Sequence, residues 1–266
     1  MRKIRLAVSA GSFLIVLSAF PALAQTDSSS PAQASTTISD NQKLSDEEMG
    51  RLYLVRKQYE EAQQIFHKLT VEHPNSALYW NELGIALHSQ SNLTGALKCY
   101  QKSAKLDKHY ADPQNNIGTV YYARRKYPKA IRAYKHAISI KDDSAPFYLN
   151  LGMAYFGEKQ YEESIAAFRK ALQYDPDAFD NAKAHSGTIV QDRSISTDRG
   201  KFYFLLAKSF AQSGNAERCA LYLKKARDEG YQDMKSVSSD PAFAQVVKDP
   251  AIQEVLEAKP LETAQP

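Results

Sequence analysis

The side chains that most often carry catalysis or hold metal ions are scattered along this chain. None of the histidines is paired with a carboxylate or a cysteine at metal-ligand spacing along one helix face. The six histidines are His67, His73, His88, His109, His136 and His185. The sequence also lacks a glycine-rich phosphate-binding loop and a Gly-x-Ser-x-Gly nucleophile motif. These observations predict a protein that is not an enzyme, with no cofactor and no metal site.

Paired carboxylates are the other candidates for acid–base chemistry. Glu60-Glu61 and Glu162-Glu163 stand at the beginning of amphipathic segments. Carboxylates at that place favour the positive end of a helix dipole. We therefore interpret these glutamate pairs as structural, stabilising the start of a helix.

Self-similarity with a period of 34 residues organises the chain. Glycine recurs at Gly50, Gly84, Gly118 and Gly152. Twelve residues after each glycine stands a small side chain, at Ala62, Ala96, Ala130 and Ser164. Four residues further stands an aromatic one, at Phe66, Tyr100, Tyr134 and Phe168. Apolar residues recur every three or four positions between these columns, which indicates two amphipathic helices per unit. The glycine and alanine columns are expected where two backbones approach closely, with the aromatic rings between one pair of helices and the next.

These columns resemble the tetratricopeptide repeat, a 34-residue helix-turn-helix unit, and Trp80, Leu83 and Gly84 match its opening motif. The resemblance implies an all-α fold, a right-handed α-solenoid of such repeats with C-terminal capping helices. The predicted repeats span 43–76, 77–110, 111–144, 145–178 and 200–233, the last with Ala207 in the glycine column. Residues 234–266 are predicted to form a cap and tail, in which Asp240 and Asp249 each precede a proline as helix N-caps.

An interruption at residues 179–199 separates the fourth and fifth repeats. It shows no helical period, and its stretch "GTIVQ" favours an extended conformation through β-branched side chains. Long segments of this kind inside a compact array are often functional. Two interpretations stay open: a functional loop, or a loop packed over one edge of the array.

The first 24 residues have the pattern of an export signal. Three basic residues precede an apolar core, Leu6 to Phe20, and Ala22-x-Ala24 supplies a cleavage site. The alternative is an uncleaved anchor. Cleavage would leave a mature protein that begins at Gln25 with a flexible linker over 25–42, without a membrane span, in the periplasm or secreted. It would also leave 31 basic against 30 acidic side chains, so no nucleic-acid partner is predicted and Arg124-Arg125-Lys126 is a local charge run.

The two cysteines, Cys99 and Cys219, belong to the second and fifth repeats. Packed helices lie 8–10 Å apart, so three repeats would separate these residues by roughly 30 Å. A disulfide requires Cα atoms within about 7 Å. They are predicted not to pair, and Cys219, which stands in the small-residue column, is predicted to be a buried inert thiol.

The family resemblance also implies a concave groove, lined by the first helix of each repeat, that holds a peptide or partner segment. The lining residues would be Asn81, Ile85, His88, Asn115, Thr119, Tyr122, Leu149, Met153 and Phe156. Tyr122 and Phe156 would be aromatic anchors, and the asparagines would bond the ligand backbone. Alternatively, Met153 and Phe156 face neighbouring helices and belong to the core. The cationic clamp by which some members hold acidic tails is absent, because Pro146, Asn81 and Ile85 occupy its columns.

The sequence thus favours a non-enzymatic, exported scaffold for protein–protein interaction, binding a peptide or partner segment of unknown identity in the groove. An alternative is an envelope protein that binds a small ligand or a glycan through the groove and residues 179–199. A third possibility, an enzyme with its active site in that segment, is disfavoured by the segment's single histidine and three aspartates.

Overall fold

A computed structural model describes residues 44–181 and 198–258, and every regular element in these two ranges is helical. The predicted signal, the linker, residues 182–197 and the end of the tail lie outside the described residues. The expectations of export and of an extended conformation at residues 187–191 therefore stay predictions. At the two ends of the 179–199 segment, residues 179–181 lie in a short helix, Ala178–Asn181 (α9), and Arg199 is the first residue of the helix Arg199–Gln212.

The helices follow the predicted repeats in pairs. The first four pairs are α1 (Asp46–Val55) and α2 (Tyr59–Glu72), α3 (Ala77–Ser89) and α4 (Leu93–Leu106), α5 (Asp112–Ala123) and α6 (Tyr127–Ile140), and α7 (Ala145–Gly157) and α8 (Tyr161–Tyr174). The fifth pair is α10 (Arg199–Gln212) and α11 (Ala216–Asp228). Two short 3-10 helices, Met234–Ser238 and Pro241–Phe243, and α12 (Pro250–Glu257) follow.

Side-chain caps fix several of the helix starts. Ser45 and Glu48 form a capping box at α1, in which the Glu48 carboxylate accepts from the Ser45 backbone N–H at 2.9 Å. At the other end of the chain, Asp240 and Asp249 accept from Ala242 N–H and Ala251 N–H, both at 2.9 Å. The predicted Asp-Pro helix starts are thereby confirmed.

The glycine column makes room for the aromatic column of the same repeat. A Cβ atom built on Gly118 would lie 2.5 Å from Cε1 of Tyr134, and one on Gly152 would lie 2.4 Å from Cδ1 of Phe168. Gly50 and Gly84 stand against Phe66 and Tyr100 in the same way. Each ring therefore lies on the glycine of its own pair, and the predicted contact with the next pair is also seen, since the Phe168 ring lies 6.0 Å from the Phe202 ring of α10. The small column is fully buried beside them, at Ala62, Ala96, Ala130 and Ser164.

The fifth pair has different residues in the glycine and aromatic columns. Ala207 replaces the glycine, and the side chain sixteen positions later is Leu223 instead of an aromatic ring. Both are completely buried, as is Cys219 in the small column. A larger residue on the first helix is therefore matched by a narrower one on the second.

The first helices lie on the inner side of the array. Tyr79 of α3 donates to the Glu47 carboxylate of α1 at 2.9 Å, and Asn116 of α5 donates to Asn81 of α3 at 3.0 Å. The contacts of α3 with α5 and of α5 with α7 are more extensive than any between successive second helices. The array curves toward the helices that approach each other, so α2, α4 and α6 face outward.

The fifth pair enters the stack differently from the others. In the earlier repeats the end of a first helix meets the start of the preceding second helix, as where Gln90 donates to the Tyr59 carbonyl at 3.0 Å. In the fifth pair, by contrast, the first turn of α10 lies at the start of the preceding second helix, α8, with Lys201 Nζ 3.8 Å from the centre of the Tyr161 ring. Between the end of α8 and the start of α10 the chain must therefore run back toward the start of α8, over about 20 Å, the length of a 14-residue helix. The interruption supplies residues for that return, which gives it a structural reason.

The C-terminal elements cover the exposed end of the fifth pair. Phe243 and Ile252 are fully buried, and the Phe204 ring of α10 stacks on Tyr231 at 4.4 Å between centroids. Arg227 of α11 donates to the Val255 carbonyl at 3.1 Å. Terminal repeats need such a cover because their outer face has no further repeat to pack against.

The turn inside each of the first four repeats holds one residue in the left-handed conformation, although none is glycine. These residues are spaced by 34, at Lys57, Ser91, Arg125 and Lys159, with φ between 56° and 64°. The fifth repeat has Gly214, with φ 76°, at the equivalent turn. A side chain in this conformation costs about 1–2 kcal/mol.

We expect Lys159→Gly to stabilise the protein by about 0.5–1 kcal/mol, because the strain relieved exceeds the extra chain entropy that glycine loses on folding. Thermal unfolding followed by circular dichroism measures it. Lys159→Ala removes the same charge but keeps the Cβ atom, and serves as the matched control. Equal melting temperatures for the two variants would contradict the strain assigned to this turn.

Candidate functional site

A chain of buried amides links the first helices of repeats two to four. Asn150 Nδ2 donates to Asn115 Oδ1 at 2.9 Å, and Asn116 Nδ2 donates to Asn81 Oδ1 at 3.0 Å. Asn115 Nδ2 donates weakly to Asn116 Oδ1 at 3.4 Å, and Asn81 Nδ2 donates to the Tyr110 hydroxyl at 3.1 Å. All four asparagines are at most 2% exposed. We call these four residues the amide ladder.

The amide ladder corrects the predicted groove. Asn81 and Asn115 bond other side chains of this protein, so they are not available to the backbone of a ligand. Four further residues assigned to the groove lining are also buried, namely Thr119, Tyr122, Leu149 and Met153. The physical reason is the close approach of successive first helices, which closes the inner surface over these columns.

The other three predicted lining residues are partly buried. Phe156 packs on Tyr161 and Phe202, with ring centroids 5.8 and 5.4 Å away, so the core alternative fits it and Met153 better than the anchor role. The His88 ring lies 6.3 Å from Tyr100, and burial lowers the pKa of His88. Ile85 packs at the margin of the core of repeats two and three. Of the nine residues, only Ile85 remains on an accessible part of the inner side without a ring contact.

The accessible part of the inner side lies at the first three repeats, and its charged residues were not predicted. We name it the N-terminal inner face and define it by Glu47, Arg51, Val55, Glu82, Ile85 and Asp112. Val55 is 79% exposed, and Arg51 pairs with Glu47 at 3.1 Å. Glu47 and Glu82 stand 34 residues before Asn81 and Asn116, in the same columns as the amide ladder. That register is the sequence signal that could have located them.

The N-terminal inner face has an excess of negative charge. Burial raises the pKa of Glu82, with Asp112 and Glu47 adding to the shift and Arg51 opposing it. Burial also raises the pKa of Asp112, and Lys141 opposes that shift. Three carboxylates therefore stand near two cations, Arg51 and Lys141, and Arg51 is already paired with Glu47. A positively charged group brought to this face would stabilise the ionised carboxylates.

Other kinds of site find little support in the described residues. No three His, Cys, Asp or Glu side chains among them come together as metal ligands, and none of their helices is long and apolar enough to cross a membrane. Hollows on the described surface are open, such as one of about 400 Å³ between the first turn of α10 and the residues after α11, lined by Arg199, Glu229 and Tyr231.

Cys99 and Cys219 are both buried and free, and the burial predicted for Cys219 is confirmed. Burial raises the pKa of Cys99 to about 11 and that of Cys219 to about 12. The reactive thiolate is therefore a minor species at pH 8, on the order of one molecule in a thousand or less.

We expect neither thiol to react with a disulfide reagent in the native protein at pH 8, and both to react once the chain is denatured. Counting the thionitrobenzoate released in each state measures this. Gln101→Cys places a thiol on the exposed face of α4 and provides the reactive control. Rapid native labelling of Cys219 would contradict its burial.

Comparison with protein families identifies the class of repeat. Tetratricopeptide repeat models match residues 48–76, 75–143 and 145–178, which are the first four pairs of helices. The chain is a tetratricopeptide repeat protein that folds as an all-α solenoid. The matches end before α10, where the fifth pair enters the stack differently. No curated protein matches the sequence significantly.

Several solved structures superpose on this chain, and one of them does so with a TM-score above 0.5. The pilF protein of Pseudomonas aeruginosa superposes with a TM-score of 0.51 at 17% identity, over 78% of this chain and 84% of that one. MamA of Desulfovibrio magneticus RS-1, from residue 41, gives 0.48 at 21% identity over 71% and 95%. YrrB, described as a TPR protein with an unusual peptide-binding site, gives 0.45 at 15% identity over 71% and 87%. At these identities the likeness concerns the fold alone.

Proposed function

We propose that the protein is a non-enzymatic, exported scaffold that binds a segment of a partner protein on the N-terminal inner face. Tetratricopeptide arrays generally bind protein or peptide partners, and this face is the part of the inner side that is not closed by packing. The segment it fits carries a basic side chain beside an apolar one.

The observation that carries the proposal is the pair of half-buried carboxyl groups on this face. Glu82 and Asp112 have lost much of their water without gaining a salt bridge to any residue that the structure describes, and their raised pKa values reflect that loss. A lysine or arginine of a partner would replace the missing solvation. Val55, 79% exposed at the end of α1, offers an apolar contact nearby.

A photo-crosslinking amino acid placed at Val55 or Ile85 tests the binding surface in the cells that make the protein. We expect a specific adduct from these positions and none from Gln64, an exposed residue on the outer side of α2. The adduct should disappear in Glu82→Gln/Asp112→Asn, whereas the matched variant Glu60→Gln/Glu61→Gln on α2 keeps it. Adducts that form only from Gln64, or that persist unchanged in Glu82→Gln/Asp112→Asn, would exclude this surface.

The exported location is part of the same proposal and has its own measurement. The pattern of residues 1–24 supports it, and the intact mass of the protein recovered from the producing cells checks it. A mass that begins at Gln25 is expected. A mass that retains residues 1–24 would make this an anchored protein, without changing the test of the inner face.

A further inference from the structure

Positive charge is concentrated in the second and third repeats, although the whole chain is nearly balanced. Between residues 93 and 141 the sequence has eleven lysines and arginines but only two acidic residues, Asp107 and Asp112. We define the basic face by eight of these cations that are exposed, namely Lys98, Lys102, Lys105, Arg125, Lys126, Lys129, Arg132 and Lys135.

The helix register places four of these cations, Lys98, Lys102, Lys105 and Arg132, on one outward surface. Lys98, Lys102 and Lys105 recur at four- and three-residue spacing along α4, so they lie on one side of it. Arg132 of α6 is 34 residues after Lys98 and projects from the equivalent place on the next second helix. Arg124 donates to Thr94 at 3.0 Å, so the turn before α6 adjoins the start of α4.

None of the eight cations makes a salt bridge within the described residues. Lys129 lies 5.7 Å from the Tyr121 ring and Lys135 lies 5.5 Å from the Tyr155 ring, contacts that leave their charge uncompensated. Elsewhere in the array cations are paired, as Arg218 is with Asp177 at 2.9 Å. The basic face therefore keeps its full electrostatic potential toward an external anion.

We propose that the basic face docks on the surface of an anionic lipid bilayer through charge alone. The surface is about 20 Å long, the length of a 14-residue helix, and two helices wide. Each lysine or arginine near an anionic membrane strengthens binding about fivefold. The docking is independent of the partner proposed for the inner face, which lies on the opposite side of the repeats.

The composition of the basic face favours a bilayer over a protein or a nucleic acid. None of the strongly exposed large apolar residues lies between residues 93 and 141, so the face lacks the apolar anchors of a protein interface. Its aromatic residues are buried or half-buried, which leaves no platform for stacking single-stranded bases. Six of its eight cations are lysines, point charges suited to a diffuse anionic surface.

Sedimentation of the full chain with vesicles tests the proposal. Vesicles of phosphatidylcholine with roughly one third phosphatidylglycerol present the anionic surface, and pure phosphatidylcholine vesicles measure any binding through residues 6–20. We expect binding to the anionic vesicles in excess of the neutral ones, and loss of that excess as salt shortens the screening length from roughly 10 to 3 Å. Lys98→Gln/Lys102→Gln/Lys105→Gln/Arg132→Gln should weaken the excess binding by about 50-fold or more.

A variant with the same change in charge elsewhere provides the control. Lys170→Gln/Lys224→Gln/Lys235→Gln/Lys248→Gln alters four exposed lysines outside the basic face and should bind as the unmodified chain does. Circular dichroism verifies that both variants remain folded. Equal losses in the two variants, or equal binding to neutral and anionic vesicles, would overturn the proposal. The proposal would also be overturned if the chain bound duplex DNA through the basic face and did not bind vesicles.

Discussion

Gly118→Leu is expected to be among the most damaging single substitutions in the array. A single Cβ atom at this position already lies 2.5 and 2.6 Å from two ring carbons of Tyr134. Tyr134 is completely buried and cannot move aside. Overpacking of this kind costs about 3 kcal/mol for leucine and about 1–2 kcal/mol for Gly118→Ala, more than alanine gains in helix propensity. For a domain of this size, 3 kcal/mol corresponds to a fall in Tm of roughly 6–12 °C.

A double-mutant cycle separates this steric explanation from a general intolerance of the site. The fifth repeat already combines alanine and leucine in the two columns, at Ala207 and Leu223. Gly118→Ala together with Tyr134→Leu should therefore be more stable than the sum of the two single changes predicts, by about 1–2 kcal/mol. Chemical denaturation measures all four proteins, and Gln101→Leu on an exposed face is the control. Unfolding of Gly118→Ala at the wild-type midpoint would mean that the ring adapts.

The periodic columns made the fold predictable, but they did not decide which neighbours each column touches. Tyr100 follows Gly84 by sixteen residues and precedes Gly118 by eighteen. A period of 34 is consistent with packing inside one repeat or between two, and only the crossing of the helices decides. The helices, their pairing, the buried Cys219 and the Asp-Pro caps needed only local spacing, and the structure confirms them.

The binding surface was less predictable because burial depends on how closely successive first helices approach. Asparagines at Asn81 and Asn115 are polar, so their position on the inner side suggested exposure. The structure instead pairs each with an asparagine 35 residues later, Asn116 and Asn150. The position of the first turn of α10 beside the start of α8 could not be predicted either, because an interruption in the repeats does not determine the direction in which the next helix runs.

The amide ladder leads to the second large prediction. Asn115→Leu should destabilise the protein by about 2–3 kcal/mol, because Asn150 Nδ2 loses its acceptor at 2.9 Å in a fully buried place. Asn116 loses its weaker donor at the same time. Equilibrium denaturation measures the loss, and Gln114→Leu, one residue earlier and only half-buried, controls for the added apolar volume.

A double-mutant cycle separates the loss of the Asn150–Asn115 hydrogen bond from a steric clash at Asn115. Leucines occupy these two columns in the following repeats, at Leu149 and Leu205, and both are buried. Asn115→Leu/Asn150→Leu replaces both partners of the hydrogen bond. Its loss of stability should be smaller than the sum of the two single losses, since replacing both partners of a buried hydrogen bond is less costly than orphaning one. Additive losses would instead show that a leucine at position 115 does not fit sterically. The stabilisation by the amide ladder would then come from the shape of the asparagine side chains and not from their hydrogen bonds.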